Sequence, residues 1–207
     1  MHHELGGNPK GCPEGAPQGP GQDCGQPYGG AFSYGPLAET FDFKDIVTTE
    51  WRVGGREVAG WGMVANHGGG YNYRLCKLGP GGRAELSEEC FQKNPLKFAS
   101  GNSWAQYGED ETTRVFFRAN RTQAGTVPNG SEWSKNPIPN CAGFAGGYGD
   151  PDSSCPGGLQ FPAPAPGLFG QGANIHNPDV TDFQWTLMDE LEVPADLIPG
   201  DYVLSFR

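Results

Sequence analysis

His67 begins the segment whose residue types and spacing best suit chemistry. Three glycines, Gly68 to Gly70, follow it, and an alternating run, Tyr-Asn-Tyr-Arg-Leu-Cys, then leads to Cys76. Glycines at a corner permit backbone conformations closed to other residues and keep side-chain bulk away from the imidazole. Neutral imidazole is the commonest transition-metal ligand, and nitrogen-rich sites suit copper. His67 is therefore a candidate metal ligand, with a polar turn residue as the alternative.

A metal site needs more than one ligand, and the chain has only three other histidines. These are His2, His3 and His176, and no HxH or HExxH spacing occurs. Only the fold could bring them near His67, so the sequence predicts no preformed cluster.

Other catalytic chemistry has weaker support. No Gly-x-Ser-x-Gly elbow is present, which disfavours a nucleophilic serine. Two carboxylate pairs could in principle serve glycoside hydrolysis. They are Glu109 with Glu111 and Asp189 with Glu190. Among 24 acidic residues such pairs are expected by chance.

Aromatic side chains offer a second functional class, because their amphipathic rings stack on the apolar faces of sugars. The candidates for polysaccharide stacking are Tyr71, Tyr73, Trp104 and Trp133. Trp61 and Trp185 lie within predicted strands, so we assign them to the core instead.

The six cysteines fall into three pairs of near neighbours in the sequence. No two are spaced as CxxC, which disfavours a zinc ribbon. An even number in an acidic chain rich in glycine and proline favours disulfides formed in an oxidising compartment. We predict sequential pairing, in which each bridge contributes about 3 kcal/mol in the chain-entropy model. The predicted bridges are Cys12–Cys24, Cys76–Cys90 and Cys141–Cys155.

Two N-glycosylation sequons, Asn120-Arg-Thr122 and Asn129-Gly-Ser131, also favour a secreted, extracellular glycoprotein. No apolar segment follows Met1, so we expect that a signal peptide has been removed or that this is a piece of a longer chain. The sequence also stops at Arg207 inside a predicted strand, which favours further sequence beyond it.

These residues require a β-rich scaffold to position them. Strands are predicted over 41–51, 57–65, 70–78, 96–98, 112–118, 183–193 and 200–207. One short helix is predicted over 85–93, with Ser87 ahead of Glu88 and Glu89 in its first turn. Together these elements predict an all-β antiparallel sandwich of about seven strands, with short helical turns and long loops.

Composition sets the remaining limits. We predict that residues 1–36 form a Gly/Pro-rich extended arm with one disulfide, and that residues 37–207 form the sandwich, with a long loop insertion at about 126–174. The 34 glycines and 19 prolines fit a loop-rich fold, and the 24 aromatic residues argue against a disordered chain. A net charge of −10 disfavours nucleic acid as a partner. No apolar run is long enough to predict a membrane span.

Three segments, 65–76, 86–91 and 199–207, together resemble the lytic polysaccharide monooxygenase and chitin-binding type-4 superfamily, in particular its eukaryotic, protist-type branch. The likeness extends over residues 45–100 and 183–207, and the long loop between them matches only loosely. It rests on the histidine, glycine corner, aromatic alternation and terminal cysteine, which occur in order. The resemblance implies an immunoglobulin or fibronectin III-like sandwich.

The resemblance also implies a role for His67 as the internal histidine of a copper histidine brace. The other half of a brace is an N-terminal histidine, for which His2 is the candidate. Cys76–Cys90 looks like a disulfide shared with the family. Asn66 and Arg74 would support the copper ligands, and an exposed cation is the alternative for Arg74.

The implied activity is copper-dependent oxidative cleavage or binding of a chitin-like or cellulose-like polysaccharide. The alternative is a non-catalytic extracellular structural or carbohydrate-binding module of the same fold. Assembly with other extracellular chains is a further expectation. Whether the protein is an enzyme stays open on the sequence alone.

Overall fold

A computed structural model describes residues 48–63, 66, 68–79, 86–142, 157–166, 168–170 and 185–207. These residues contain ten strands and one short helix. The elements are β1 (Arg56–Trp61), β2 (Gly70–Tyr71), β3 (Tyr73–Lys77), α1 (Glu88–Lys93), β4 (Lys97–Phe98), β5 (Asn102–Tyr107), β6 (Asp110–Arg118), β7 (Arg121–Thr122), β8 (Trp133–Lys135), β9 (Trp185–Glu192) and β10 (Tyr202–Phe206).

The largest sheet is built around β9, and all of its strand pairs are antiparallel. β1 lies along one side of β9, from Arg56 opposite Glu192 to Trp61 opposite Leu187. The other side of β9 pairs with β4 at one end and with β5 at the other. β5 also pairs with β6, which completes the order β1-β9-β5-β6.

The glycine corner leads into a strand that is shared between two smaller sheets. β2 pairs with β8, which pairs with β7, whereas β3 pairs with β10. The division falls at Asn72, whose backbone N–H and C=O bond to Arg207 at 3.0 and 3.1 Å. The single strand predicted over 70–78 therefore serves two sheets.

The core lies between these antiparallel sheets, and the predicted all-β sandwich is confirmed. Its main cluster joins β2 and β3 to the β9 sheet, and consists of Ala59, Tyr71, Tyr73, Leu75, Leu96, Phe98 and Leu191. A second cluster includes Ile138, Ala165 and Leu168 from the long irregular segment. The described part of that segment therefore contributes to the core, although it has little regular structure.

Helix α1 is fixed to the sandwich at both the backbone and the side-chain level. Ser87 caps it by accepting a hydrogen bond from the backbone N–H of Cys90, as its spacing predicts. The predicted disulfide between Cys76 and Cys90 is present and ties the helix to β3. Phe91 is 2% exposed and packs beside this bridge.

Of the other four cysteines, one lies within the described residues. Cys141 is also disulfide-bonded. Cys12, Cys24 and Cys155 lie outside the described residues, as does the arm over 1–36. The pairings predicted for these cysteines stay predictions.

The strand predictions need correction at one predicted strand, and they omit β5, β7 and β8, the last of which lies inside the loop predicted at about 126–174. Residues 48–51, at the end of the strand predicted over 41–51, are not in a strand, and 41–47 lie outside the described residues. β5 was missed because its polar sequence, Asn-Ser-Trp-Ala-Gln-Tyr, lacks strong alternation, and pairing on both sides stabilises it. Within the described residues, no helix is long and apolar enough to cross a membrane.

Candidate functional site

The glycine corner is held by a buried asparagine. The side chain of Asn66 is 1% exposed, and its amide nitrogen donates to the carbonyls of Ile138 at 3.0 Å and Gly170 at 3.2 Å. Its amide oxygen accepts from the backbone N–H of Gly68 at 3.0 Å and from Asn136 Nδ2 at 2.9 Å. One side chain thus joins three separate segments at the corner.

Two more asparagines complete this support. The backbone N–H of Asn136 donates to the Gly69 carbonyl at 2.9 Å, and Asn140 Nδ2 donates to the Asn66 carbonyl at 3.2 Å. Gly68 and Gly69 have φ angles of +75° and +83°, a region that residues with a Cβ rarely adopt. The sequence signal for a special corner was therefore correct, and the segment around Asn136 fixes its geometry.

His67 and His2 both lie outside the described residues. Among the residues that are described, no group of three or more His, Cys, Asp or Glu side chains could hold a metal ion. The donor chemistry of two imidazoles suits copper, so the copper site stays a prediction that rests on His67 and His2.

A groove of about 790 Å³ opens beside the glycine corner. Gly69 and Gly70 form one part of its lining. Helix α1 contributes Glu88 and Gln92, and Arg207 lies nearby at the end of β10. The remaining lining comes from β7 and the residue before it, from the β7–β8 connection and from β8, namely Asn120, Thr122, Ala124, Gly125, Thr126, Val127, Trp133, Ser134 and Lys135.

The apolar part of this groove consists of Trp133 and Val127. Trp133 is half-buried, and its indole N–H donates to Ser131 Oγ at 3.2 Å, which fixes the ring. Val127 also lines the groove and is 59% exposed. Together they provide an apolar surface that is accessible to a ligand.

The polar part is centred on Glu88. Its Oε1 accepts from Arg74 Nη1 at 2.7 Å, from Gln92 Nε2 at 3.0 Å and from Arg207 Nη1. Among the described residues, Glu88 Oε2 has no hydrogen-bond partner and is not buried. That oxygen is available to accept a hydrogen bond from a ligand in the groove.

Arg74 belongs to the foundation of the groove and not to its surface. It is 1% exposed, donates through Nη2 to Ser205 Oγ at 3.1 Å, and lies 5.4 Å from the centre of the Phe91 ring. Burial lowers the pKa of its guanidinium, and Glu88 opposes that shift. The alternative of an exposed cation is therefore wrong.

A buried carboxylate organises the core behind the groove. Asp189 is fully buried, and its Oδ2 accepts from the hydroxyls of Tyr71 at 2.9 Å and Tyr73 at 3.2 Å. Its Oδ1 accepts from Ser103 Oγ at 2.5 Å and lies 3.6 Å from Arg121 Nη2. Burial raises the pKa of the Asp189 carboxyl, while these hydrogen bonds and Arg121 oppose the shift.

This arrangement corrects the assignment of Tyr71 and Tyr73 as stacking residues. They are 3% and 2% exposed, so neither ring has a face to offer a polysaccharide. Trp104 is 7% exposed, packs against Phe116 with ring centres 5.6 Å apart, and is covered by Arg114. The stacking role predicted for Trp104 is therefore also wrong.

Three other tryptophans lie where the sequence predicts an exposed or a core position. Trp133 lies in the groove, where it could contact a sugar. Trp61 and Trp185 are half-buried and pack against the core clusters, as predicted.

The structure separates one of the two carboxylate pairs and places the other at an exposed hairpin. Asp189 faces the core, whereas its strand neighbour Glu190 points outward and pairs with Arg56 at 3.4 Å. Adjacent residues on a strand face opposite sides, so the two carboxyls cannot act on one bond. Glu109 and Glu111 are both exposed at the β5–β6 hairpin, where Glu111 pairs with Arg114.

The sequence did not reveal Glu88 and Arg207 as site residues. They are 119 positions apart, and no local pattern links a residue in the first turn of a helix with one at the end of a distant strand. The acidic first turn of α1 was visible, but it was explained by helix stability alone.

Comparisons with known proteins do not assign a family. A scan against protein-family models, a search of curated proteins and a search of solved structures found no match.

Proposed function

We propose that this chain is an extracellular polysaccharide-binding protein and that the groove beside the glycine corner is its binding site. The observation that carries the proposal is the combination of half-buried Trp133 with the available Oε2 of Glu88 in one open groove. Sugar rings present apolar C–H faces and a rim of hydroxyls, so they need an aromatic surface and hydrogen-bonding groups together.

Charge narrows the class of polymer. The Glu88 carboxylate is paired with Arg207, and a net charge of −10 for the whole chain repels polyanions. A neutral polymer of the chitin or cellulose type fits these conditions better than an acidic one.

The test compares Trp133→Ala with Phe116→Ala. Phe116 is a matched control because it is 62% exposed and lies on β6, away from the groove. The proteins are produced in a bacterial periplasm, where disulfides form and N-glycans are absent. Binding to chitin and cellulose particles is measured by pull-down, and binding to soluble oligosaccharides by calorimetry.

We expect Trp133→Ala to weaken binding by about tenfold, equivalent to about 1.4 kcal/mol, while Phe116→Ala binds like the parent. Equal binding by Trp133→Ala and the parent would contradict the assignment of the groove. Loss of binding in Phe116→Ala alone would move the site to the outer face of the β9 sheet.

Copper-dependent cleavage of the polymer is the second candidate function. It is favoured by the rigid corner around Asn66, because Gly69 and Gly70 lie both on this corner and in the groove. His67 and His2 would hold the metal. Bound copper would supply oxidative attack on a C–H bond beside a glycosidic link, with oxygen or peroxide as oxidant and an external reductant. The role of Asn66 and the glycines would be to fix the backbone on both sides of His67.

The test is copper titration followed by electron paramagnetic resonance. An axial, nitrogen-rich Cu(II) signal that disappears in His67→Ala but persists in His176→Ala supports this function. Absence of tight copper binding, or an unchanged signal in His67→Ala, would refute it while leaving polysaccharide binding to its own test.

A further inference from the structure

One of the two sequons lies inside the groove. Asn120 and Thr122 are both exposed and both line it. The side chain of Asn120 makes no hydrogen bond within the described residues, whereas its backbone carbonyl accepts from the N–H of Lys135 at 2.7 Å. The backbone is therefore fixed, while the amide to which a glycan attaches is unengaged.

The intervening residue determines which way the sequon faces. Arg121 points into the core, where its guanidinium lies 3.9 Å from the centre of the Phe98 ring and 3.6 Å from Asp189 Oδ1. Because neighbours in an extended segment alternate between faces, Asn120 and Thr122 must point the opposite way. The groove is on that side.

The facing strand β8 has the same alternation. Arg121 pairs with Ser134, which is 2% exposed, and Thr122 pairs with Trp133. Trp133 and Lys135 therefore share the groove face with Asn120. Diagonal neighbours across a strand pair lie about 7–8 Å apart, within the reach of a large side chain or an attached sugar.

We propose that Asn120 carries an N-glycan whose first N-acetylglucosamine units pack on Trp133 and occupy the groove. The chain's own glycan then competes with external polysaccharide, so glycosylation of Asn120 controls access to the site. This control rests on the proposed polysaccharide-binding function, whereas occupation of the groove by the glycan does not.

The second sequon provides a matched control. Asn129 is also exposed, but it does not line the groove. Glycosylation at the two positions should therefore have different consequences, although both sequons belong to the same region of the chain.

The first experiment measures occupation directly. Protein from a eukaryotic secretory host is treated, while folded, with an amidase that removes N-glycans, and release at each asparagine is followed by glycopeptide mass spectrometry. We expect release at Asn120 to be about tenfold slower than at Asn129, and Trp133→Ala to remove most of this difference. An unglycosylated Asn120, or a release rate there that Trp133→Ala does not change, would overturn the proposal.

The second experiment measures control of binding. In the same host, Asn120→Gln and Asn129→Gln are compared with the parent for binding of a soluble chitin hexasaccharide. Asn120→Gln should bind about tenfold more tightly than the parent, and Asn129→Gln should match the parent. Equal binding by all three refutes control by the glycan while polysaccharide binding stands. If Asn120→Gln binds nothing, the polysaccharide function fails, and the release rates alone decide what occupies the groove.

Discussion

Replacing Asp189 should separate its role as a hydrogen-bond acceptor from its role as a charge. In Asp189→Ala, the hydroxyls of Tyr71, Tyr73 and Ser103 lose their shared acceptor inside the core. Arg121, whose side chain is only 11% exposed, also loses its nearest carboxylate. We expect a loss of about 3–5 kcal/mol in the free energy of unfolding, the range for removing one partner of a buried ion pair.

Asp189→Asn should cost less, about 1–2 kcal/mol. The amide oxygen can still accept from both tyrosines, and the Ser103 hydroxyl can rotate to accept from the amide nitrogen. Only the attraction to Arg121 is lost. The difference between the two variants therefore measures the acceptor role.

The matched control is Glu190→Gln on the same strand. Glu190 faces outward, and its partner Arg56 is 60% exposed, so the effect should stay within about 0.5 kcal/mol. Stability is measured by urea unfolding followed through tryptophan fluorescence. A cost of less than about 1 kcal/mol for Asp189→Ala would refute the view that this carboxylate organises the core.

The pH dependence of the free energy of unfolding provides an independent test of the raised pKa of Asp189. Because burial raises the pKa of the Asp189 carboxyl above its ordinary value of 3.8, the folded state binds the proton more tightly than the unfolded chain. The free energy of unfolding of the parent should therefore fall, relative to Asp189→Asn, as the pH rises from below 3.8 through the raised pKa. Above that pKa the difference should be constant. A rise in the stability of the parent relative to Asp189→Asn over this range would contradict a raised pKa for Asp189.

Three further changes test the frame of the groove. Replacing Cys76 and Cys90 together with alanine should cost about 3 kcal/mol in urea unfolding, and an unchanged midpoint would show that the bridge is dispensable. Gly70→Ala should cost about 1–3 kcal/mol, because a Cβ would lie 2.9 Å from the Ser134 carbonyl oxygen. At Gly101 a Cβ would meet no atom of the described residues within 4 Å, so Gly101→Ala should be neutral in the same assay. Asn66→Ala breaks four hydrogen bonds of the glycine corner and should cost about 3 kcal/mol, measured by thermal unfolding. A shift in Tm as small as that of Gly101→Ala would refute the structural role of Asn66.

The sequence predicted the elements with strong local signals. Ser87 with its acidic neighbours correctly predicted α1, and apolar alternation correctly predicted β9 and β10. In the aromatic strand, alternation shows which residues share a face but not whether that face is exposed. Tyr71 and Tyr73 are buried in the main core cluster, where Asp189 accepts hydrogen bonds from both hydroxyls, and nothing near them in the sequence indicates that partner.

The groove could not be predicted, because each of its walls depends on contacts between distant segments. Trp133 was found as an aromatic residue among polar neighbours, yet its value as a ligand surface depends on the pairing of β7 with β8. Glu88 was visible as a helix-stabilising acid, and its free oxygen arises only because Arg74 and Arg207 both bond to the other one. Local patterns located the corner, whereas the groove emerged from tertiary structure.

The two proposals require different states of the same groove. The proposed glycan would occupy it, whereas copper-dependent cleavage would need it open to the polymer. Gly69 and Gly70, which follow His67 in the sequence, line the same groove as Asn120, so a glycan on Asn120 would compete with a polymer that binds there. If the glycan occupies the groove, oxidative cleavage requires chains that lack it. Copper-dependent cleavage by the fully glycosylated protein, at the rate of Asn120→Gln, would therefore argue against the glycan and in favour of an unobstructed active site. If the glycosylated protein binds copper without cleaving the polymer, and Asn120→Gln cleaves it, both proposals would be supported.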